Sequence, residues 1–257
     1  MPPMKRTLAL LYGIAAYILF VLSCLWAIGW IANVPVGGLR TIDSGTSEAP
    51  LPALLIDALL LGLFAVQHSV MARPVFKRWF TRVVDPSVER STYVLLSSLL
   101  LFFIFAAWRT VANPVWQMQG AGAGVLWGIY AIGWLIVLLS TFMISHTDLF
   151  GLNQVWAYWQ GRPAGHPPFM VRGLYRLVRH PLMLGFVITF WATPVMSGGH
   201  LFFAVMTTAY IVIALQLEEH DLRAALGEPY RDYQRRVPML LPFGKRAAKP
   251  RSGTAAG

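Results

Sequence analysis

The stretch "RGLYRLVRHPLMLGFVITF" spans Arg172–Phe190. Arg172, Arg176, Arg179 and His180 run with no spacer into an apolar segment. Pro181 suits the first position of a helix, where its missing N–H leaves nothing unsatisfied. The apolar region continues to Leu217, too long for one crossing of a bilayer, which needs about 20 residues. "TPVMSGGH", Thr193–His200, breaks it, because a proline and a glycine pair extend a helix poorly. The segment reads as a helical hairpin whose arms begin and end on the same side. Its first arm is short for a full crossing, which predicts a tilted arm or one buried within protein.

The rest of the chain agrees. Of 257 residues, 56% are hydrophobic and 12% charged, whereas a soluble domain has roughly a quarter of its residues charged. Four further apolar runs cover Thr7–Ala32, about Leu51–Ala72, about Ser91–Ala112 and about Val125–His146. The first exceeds the h-region of a signal peptide and reads as a retained span. The expected fold is all-α: a multi-pass transmembrane helical bundle of about six spans, one domain over residues 1–257. Six crossings put nearly all Lys and Arg on one side and leave Arg40 and Arg109 on the other. By the positive-inside pattern both termini are cytoplasmic and the chain sits in the cell membrane. The net charge of +10 then reads as topology and contact with membrane lipid rather than nucleic-acid binding, since no basic helix face is interleaved with aromatics. Residues 244–257 read as a disordered tail. Cys24 is the single cysteine, which excludes an internal disulfide framework and any CxxC motif.

The hairpin carries a second cluster to the first. Its returning arm ends in "LQLEEHDL", which sets Glu218, Glu219 and His220 beside Arg179, His180 and Pro181. Paired carboxylates at the end of an apolar helix need partners or water. From charge alone, two readings stand: an interfacial belt of salt bridges, or a site for a polar ligand. Two further histidines lie at span ends: His68 after Gln67, and His146 with Asp148 two residues on. Imidazole is suited to proton transfer near neutrality, so each is a candidate base or a polar lining residue. Asp57 and Arg109 are an expected structural pair. His166 and His200 are expected at the surface in loops. "GAGAG", Gly120–Gly124, reads as a flexible turn, since no strand precedes it. No Ser-His-Asp arrangement, phosphate loop or zinc spacing is present.

"GLYRLVRHPLMLG" followed by "EEHDLRAALGEPYRDYQRRVPMLLP" resembles the C-terminal signature of the membrane methyltransferases related to isoprenylcysteine carboxyl methyltransferase and the phospholipid methyltransferases. The matches are Gly173, Tyr175, Arg179, His180, Pro181, Gly185, Glu218, Glu219, Gly227, Tyr230, Tyr233, Val237 and Pro238. Met183 departs from the tyrosine of the wider family. "RHPLMLGF", "FAVQHSVMARPVFKRWF", "ERSTYVL" and "STFMISHTDLFGLNQVW" resemble a narrower group, the methanethiol S-methyltransferases. A looser form occurs in a membrane family associated with denitrification.

The resemblance implies S-adenosylmethionine at the cytoplasmic mouth of the hairpin, held by residues of about 172–240, with no metal. It implies Arg179 for the cofactor's carboxylate and His180 for a polar group. Glu218 and Glu219 suit the ammonium or ribose, Tyr175, Tyr230 and Tyr233 supply stacking or hydroxyls, and Pro181, Met183 and Gly185 line the approach. The implied acceptor is a small thiol, methanethiol, and His146, with Asp148 to orient it, or His68 is the candidate to take its proton, the alternative for each being a polar lining residue; no obligatory protein partner is implied. Two alternatives accompany this expectation: another small or lipid acceptor, and a non-catalytic membrane protein.

Overall fold

The computed structural model describes residues 3–45, 49–165 and 169–243; the tail from 244 and His166 lie outside these. Five helices are long and apolar enough to cross a bilayer: α1 (Pro3–Ile31), α2 (Pro50–Ala72), α4 (Pro86–Ala107), α5 (Gly120–Ile144) and α9 (Gly198–Leu226). Short helices join them: α3 (Pro74–Phe80), α6 (His146–Leu149), α7 (Leu152–Trp159), α8 (Pro181–Trp191) and α10 (Glu228–Arg236). Prolines open α2, α3, α4, α8 and α10, each at the turn where the missing N–H does no harm. Asp85 caps α4 by accepting from the backbone N–H of Ser87 at 2.9 Å.

Three local departures from the sequence reading have physical causes. Gly120–Gly124 forms the first turns of α5 rather than a flexible turn. Away from water, backbone groups have no better partner than the helix, so weak propensity there is overridden. Next, α4 stops at Ala107 rather than continuing to Ala112. The chain then enters β1 (Pro114–Gln117), which pairs antiparallel with β2 (Val195–Ser197), Trp116 opposite Met196. The backbone N–H groups of Gly198 and Gly199 donate to Asn113 and Val111 at 2.8 and 2.9 Å. This ribbon completes the short first arm: α8 has 11 residues, and the largely buried stretch 192–197 continues it with its backbone paired. Finally, His200 is not a surface residue. Ser197 caps α9 on the His200 N–H at 3.0 Å, and the ring is fully buried with Nε2 on the Phe190 carbonyl.

Asp57, also fully buried, accepts from the backbone N–H of Arg109 at 2.9 Å. The expected partner is right, and the main chain provides part of the contact. Arg40 Nη1 donates to the Ala106 carbonyl at 2.7 Å, which satisfies an acceptor that the end of α4 leaves over. Nearby, Trp30, Trp108 and Phe203 meet edge to face, with ring centroids 5.2 to 5.8 Å apart.

Helix α8 is carried by α5. A Cβ on Gly185 would lie 2.7 Å from the Gly133 carbonyl oxygen, and one on Gly133 would lie 2.7 Å from Thr189 Cγ2. The two helices therefore touch backbone to backbone, as small residues permit in membrane proteins. Gly185 makes room for a helix. Gly185→Ala is expected to force the pair apart at a cost of about 1–3 kcal/mol. A thermal melt in detergent should show a midpoint lowered by several degrees; an unchanged midpoint would refute the tight crossing.

Candidate active site

The loop before α8 is fixed by the chain's last described segment. The backbone N–H groups of Arg179 and His180 donate to the carbonyls of Pro238 and Met239 at 2.9 and 3.1 Å. Arg179 then points into the angle between α9 and α10. Its Nε and Nη2 donate to the two oxygens of Glu219 at 2.5 and 2.9 Å. Nη1 donates to the Val237 carbonyl at 2.5 Å and to the Gln234 carbonyl at 3.3 Å. Glu219 also accepts from Gln234 Nε2 at 2.9 Å, and His180 Nε2 lies 3.1 Å from it. Both side chains of the ion pair are buried, 6% and 7% exposed. The basic and acidic clusters, about forty residues apart in sequence, thus meet as one closed knot.

This closure changes what each residue offers. Every nitrogen of the Arg179 guanidinium is committed within the chain, so the bidentate fork goes to Glu219 rather than standing ready for a ligand's carboxylate. Glu218 differs from its neighbour. It is 47% exposed and lies 3.8 Å from His180 Nδ1. Its charge is felt at Tyr93, Tyr175 and Tyr230, three aromatic hydroxyls from separate elements.

Around it, Tyr233 donates to the Tyr175 carbonyl at 2.6 Å. Phe169 lies across Tyr230 and Tyr233. The Tyr230 hydroxyl is buried with no hydrogen-bond partner. Burial pushes Tyr233 up to about 12 and raises Tyr175 and Tyr230 as well, so all three keep their protons and can donate. Pro181 is buried at the first position of α8, and Met183 packs partly buried against the main core. One open carboxylate, one orphan hydroxyl and the free N–H groups of the first turn of α8 suit a ligand carrying both signs of charge.

The two candidate bases sit on different sides. His146 Nε2 lies 2.7 Å from the Tyr17 hydroxyl and Nδ1 lies 2.9 Å from Thr141 Oγ1. Phe142 stacks on it and Phe150 meets it edge on. Asp148 bonds elsewhere: it accepts from Ser145 at 2.6 Å and Asn153 at 2.7 Å. His146 thus ties α6 to α1, which meets α9 through Trp30 and Phe203, at the opposite end of α9 from Glu218. His68, by contrast, is on α2, which packs on both α4 and α9. It meets Tyr93 at 2.8 Å and Ser97 at 3.2 Å, and the next residue, Ser69, meets Tyr210 of α9 at 3.0 Å. Arg73 closes the same end on Asp221 at 2.9 Å. His220 is largely exposed, 3.5 Å from Asp221.

Sequence reasoning passed over Tyr93, Ser97, Tyr210 and Gln234. For Tyr93 and Ser97 a signal existed: polar residues at i and i+4 in an apolar span share one face. Gln234 had none, because its role depends on how α10 folds back.

Burial lowers the pKa of His146 below its ordinary value. The unfolded chain therefore binds a proton more readily, and stability falls as pH drops from the ordinary imidazole range toward the folded value. Above that range the contribution is fully present. Melting curves of wild type and His146→Gln across about pH 7.5 to 5 should show a steeper loss for wild type; parallel losses would refute it.

Residues 59–237 match the model of a family described as "Protein of unknown function (DUF1295)". The chain is 52% identical over 244 residues to a protein of Mycobacterium tuberculosis named "Methanethiol S-methyltransferase", covering 95% of this chain and 99% of that one. It is 49% identical to "Methanethiol S-methyltransferase 2" of Bradyrhizobium diazoefficiens, covering 96% and 95%. Mouse "Nurim" is 30% identical over 185 residues, 67% of this chain and 69% of its own. No solved structure matches the chain significantly. With near-complete coverage at about half identity, the chain belongs to the DUF1295 family and, within it, to the methanethiol S-methyltransferases.

Proposed function

We propose that this protein is a membrane enzyme that moves a methyl group from S-adenosylmethionine to methanethiol, forming dimethyl sulfide. The names of its relatives support the reaction. The observation that carries the site is Glu218, an open carboxylate beside a closed ion-pair knot. In this reading Glu218 binds the donor's ammonium. The Tyr230 hydroxyl and the first turn of α8 receive its carboxylate or ribose, and Tyr175 and Tyr233 wall the pocket. Arg179, His180 and Glu219 hold that wall in place. S-adenosylmethionine supplies an electrophilic methyl group on a sulfonium. The chain's part is to align the acceptor with it and to keep water out.

The acceptor's proton has to leave, because the product is a neutral sulfide. Thiols ionise above neutrality, with a pKa of about 8.5 for cysteine, so a nearby base raises the fraction that reacts. His68 is that base here, since α2 packs on α9, whereas His146 and Asp148 brace α6 and α7. The positive-inside pattern puts this mouth at the cytoplasmic face of the cell membrane, where the donor is dissolved.

The test is headspace gas chromatography of purified protein mixed with both substrates. Dimethyl sulfide is the expected product; its absence while donor binding persists would overturn methanethiol as the acceptor. Two carboxylate variants separate binding from architecture. Glu218→Gln is expected to weaken donor binding about tenfold or more, since a charge-assisted hydrogen bond is worth about 1.5–3 kcal/mol, with an unchanged melting point. Glu219→Gln leaves Arg179 buried without its counter-charge, at a cost of about 3–5 kcal/mol, and should lower the melting point itself. Calorimetric donor titration and thermal melts read the two effects, and the reverse pattern would refute the assignment.

A further inference from the structure

The polar strip between α2 and α4 has a direction built into it. Gln67 Nε2 donates to Met71 Sδ at 3.0 Å, which turns its carbonyl oxygen toward α4. Ser97 Oγ donates its one proton to that oxygen at 3.3 Å. Ser97 can therefore only accept from His68 Nδ1, 3.2 Å away. A ring whose Nδ1 carries the proton has its lone pair on Nε2, and the bond made by one nitrogen sets the state of the other. The Tyr93 hydroxyl lies within reach of both ring nitrogens, 2.8 Å from Nε2 and 3.0 Å from Nδ1; with Nδ1 carrying the proton, it donates to Nε2 and keeps its own oxygen lone pairs free. Phe64 stacks on the imidazole with ring planes 19° apart, which fixes the ring. Ser97 is buried, while His68 and Tyr93 are half-buried.

We propose that Gln67, Ser97, His68 and Tyr93 form a proton relay for the thiol. Tyr93 is the catalytic group that touches the acceptor, and Ser97 and Gln67 are positioning residues. The inference rests on the thiol-methylation reading above. As the thiol S–H bond breaks, its proton passes to the Tyr93 oxygen while the tyrosine proton passes to His68 Nε2. The freed sulfur electron pair forms the new bond to the methyl carbon. The pair of the old carbon–sulfur bond stays with the donor's sulfur. The imidazolium then returns one proton to water, which balances the release of one proton per turnover. The groups whose charge bears on Tyr93 are Glu218 and Tyr210 from α9, Arg90 from α4, and Arg73 at the end of α2. They lie toward the mouth, on the side where the proton leaves.

Ring-nitrogen NMR of protein labelled with 15N-histidine tests the relay without either substrate, with the His68 signals assigned by their loss in His68→Gln. The expected spectrum shows His68 protonated at Nδ1 and bare at Nε2. In Ser97→Ala this preference is expected to collapse, and in Ser97→Thr, which keeps the hydroxyl, to return. Protonation at Nε2 in wild type, or an Nδ1 preference that survives Ser97→Ala, would overturn the proposal. In turnover, Ser97→Ala and Tyr93→Phe should each lower kcat about tenfold or more, with donor affinity by calorimetry unchanged. The deficit should shrink as pH rises and thiolate forms unaided. A Tyr93→Phe enzyme with wild-type kcat and pH profile would also overturn it. If wild type makes no dimethyl sulfide, the reaction assigned above fails, and the ring spectrum by itself still decides whether the relay exists.

Discussion

The buried pair of Arg179 and Glu219 is the contact on which the meeting of α8, α9 and α10 depends. Two charges removed from water are costly unless each hydrogen-bonding position is filled. Here the filling groups come from three places: the carboxylate from α9, the Gln234 side chain and carbonyl from α10, and the Val237 carbonyl beyond it. The demand of one guanidinium for five acceptor directions therefore specifies how α8, α9 and the C-terminal segment meet. A lysine would satisfy the charge and leave the fork geometry unmet.

The knot also separates two roles that the pair of adjacent glutamates seems to share. Successive helical residues point about 100° apart, so only one of Glu218 and Glu219 can face the α8–α10 angle. Glu219 does so and is consumed. Glu218 is left half exposed, 3.8 Å from His180 Nδ1. One dipeptide thereby supplies both a buried scaffold carboxylate and an open one.

Much of this was legible in the sequence. Hydropathy and the Lys/Arg distribution defined the long helices, because length and charge placement are what a bilayer selects. The hairpin and its two charged clusters followed from one proline–glycine break. What pattern could not reveal was main-chain partnership. The β1–β2 ribbon is three or four residues a side and contains Pro114, too short and too poor in strand formers to register. His200 looked like a loop residue because its neighbours Gly198 and Gly199 suggest one. Yet Ser197 starts the helix at that point, and the ring turns inward. The commitment of Arg179 was hidden for the same reason: two of its acceptors are carbonyls, which every residue has.

The tie between Arg179 and Val237 links residues 58 positions apart, and it sets an order on biosynthesis. All the apolar helices are made and can enter the bilayer before the chain reaches Val237. Until then the guanidinium lacks its Val237 acceptor, and the loop before α8 lacks the Pro238 and Met239 carbonyls that align it. Insertion and maturation are thus separate events, the second waiting on the last stretch of described chain. A ribosome that stops a few residues early releases a protein with its full set of membrane helices and an unformed mouth.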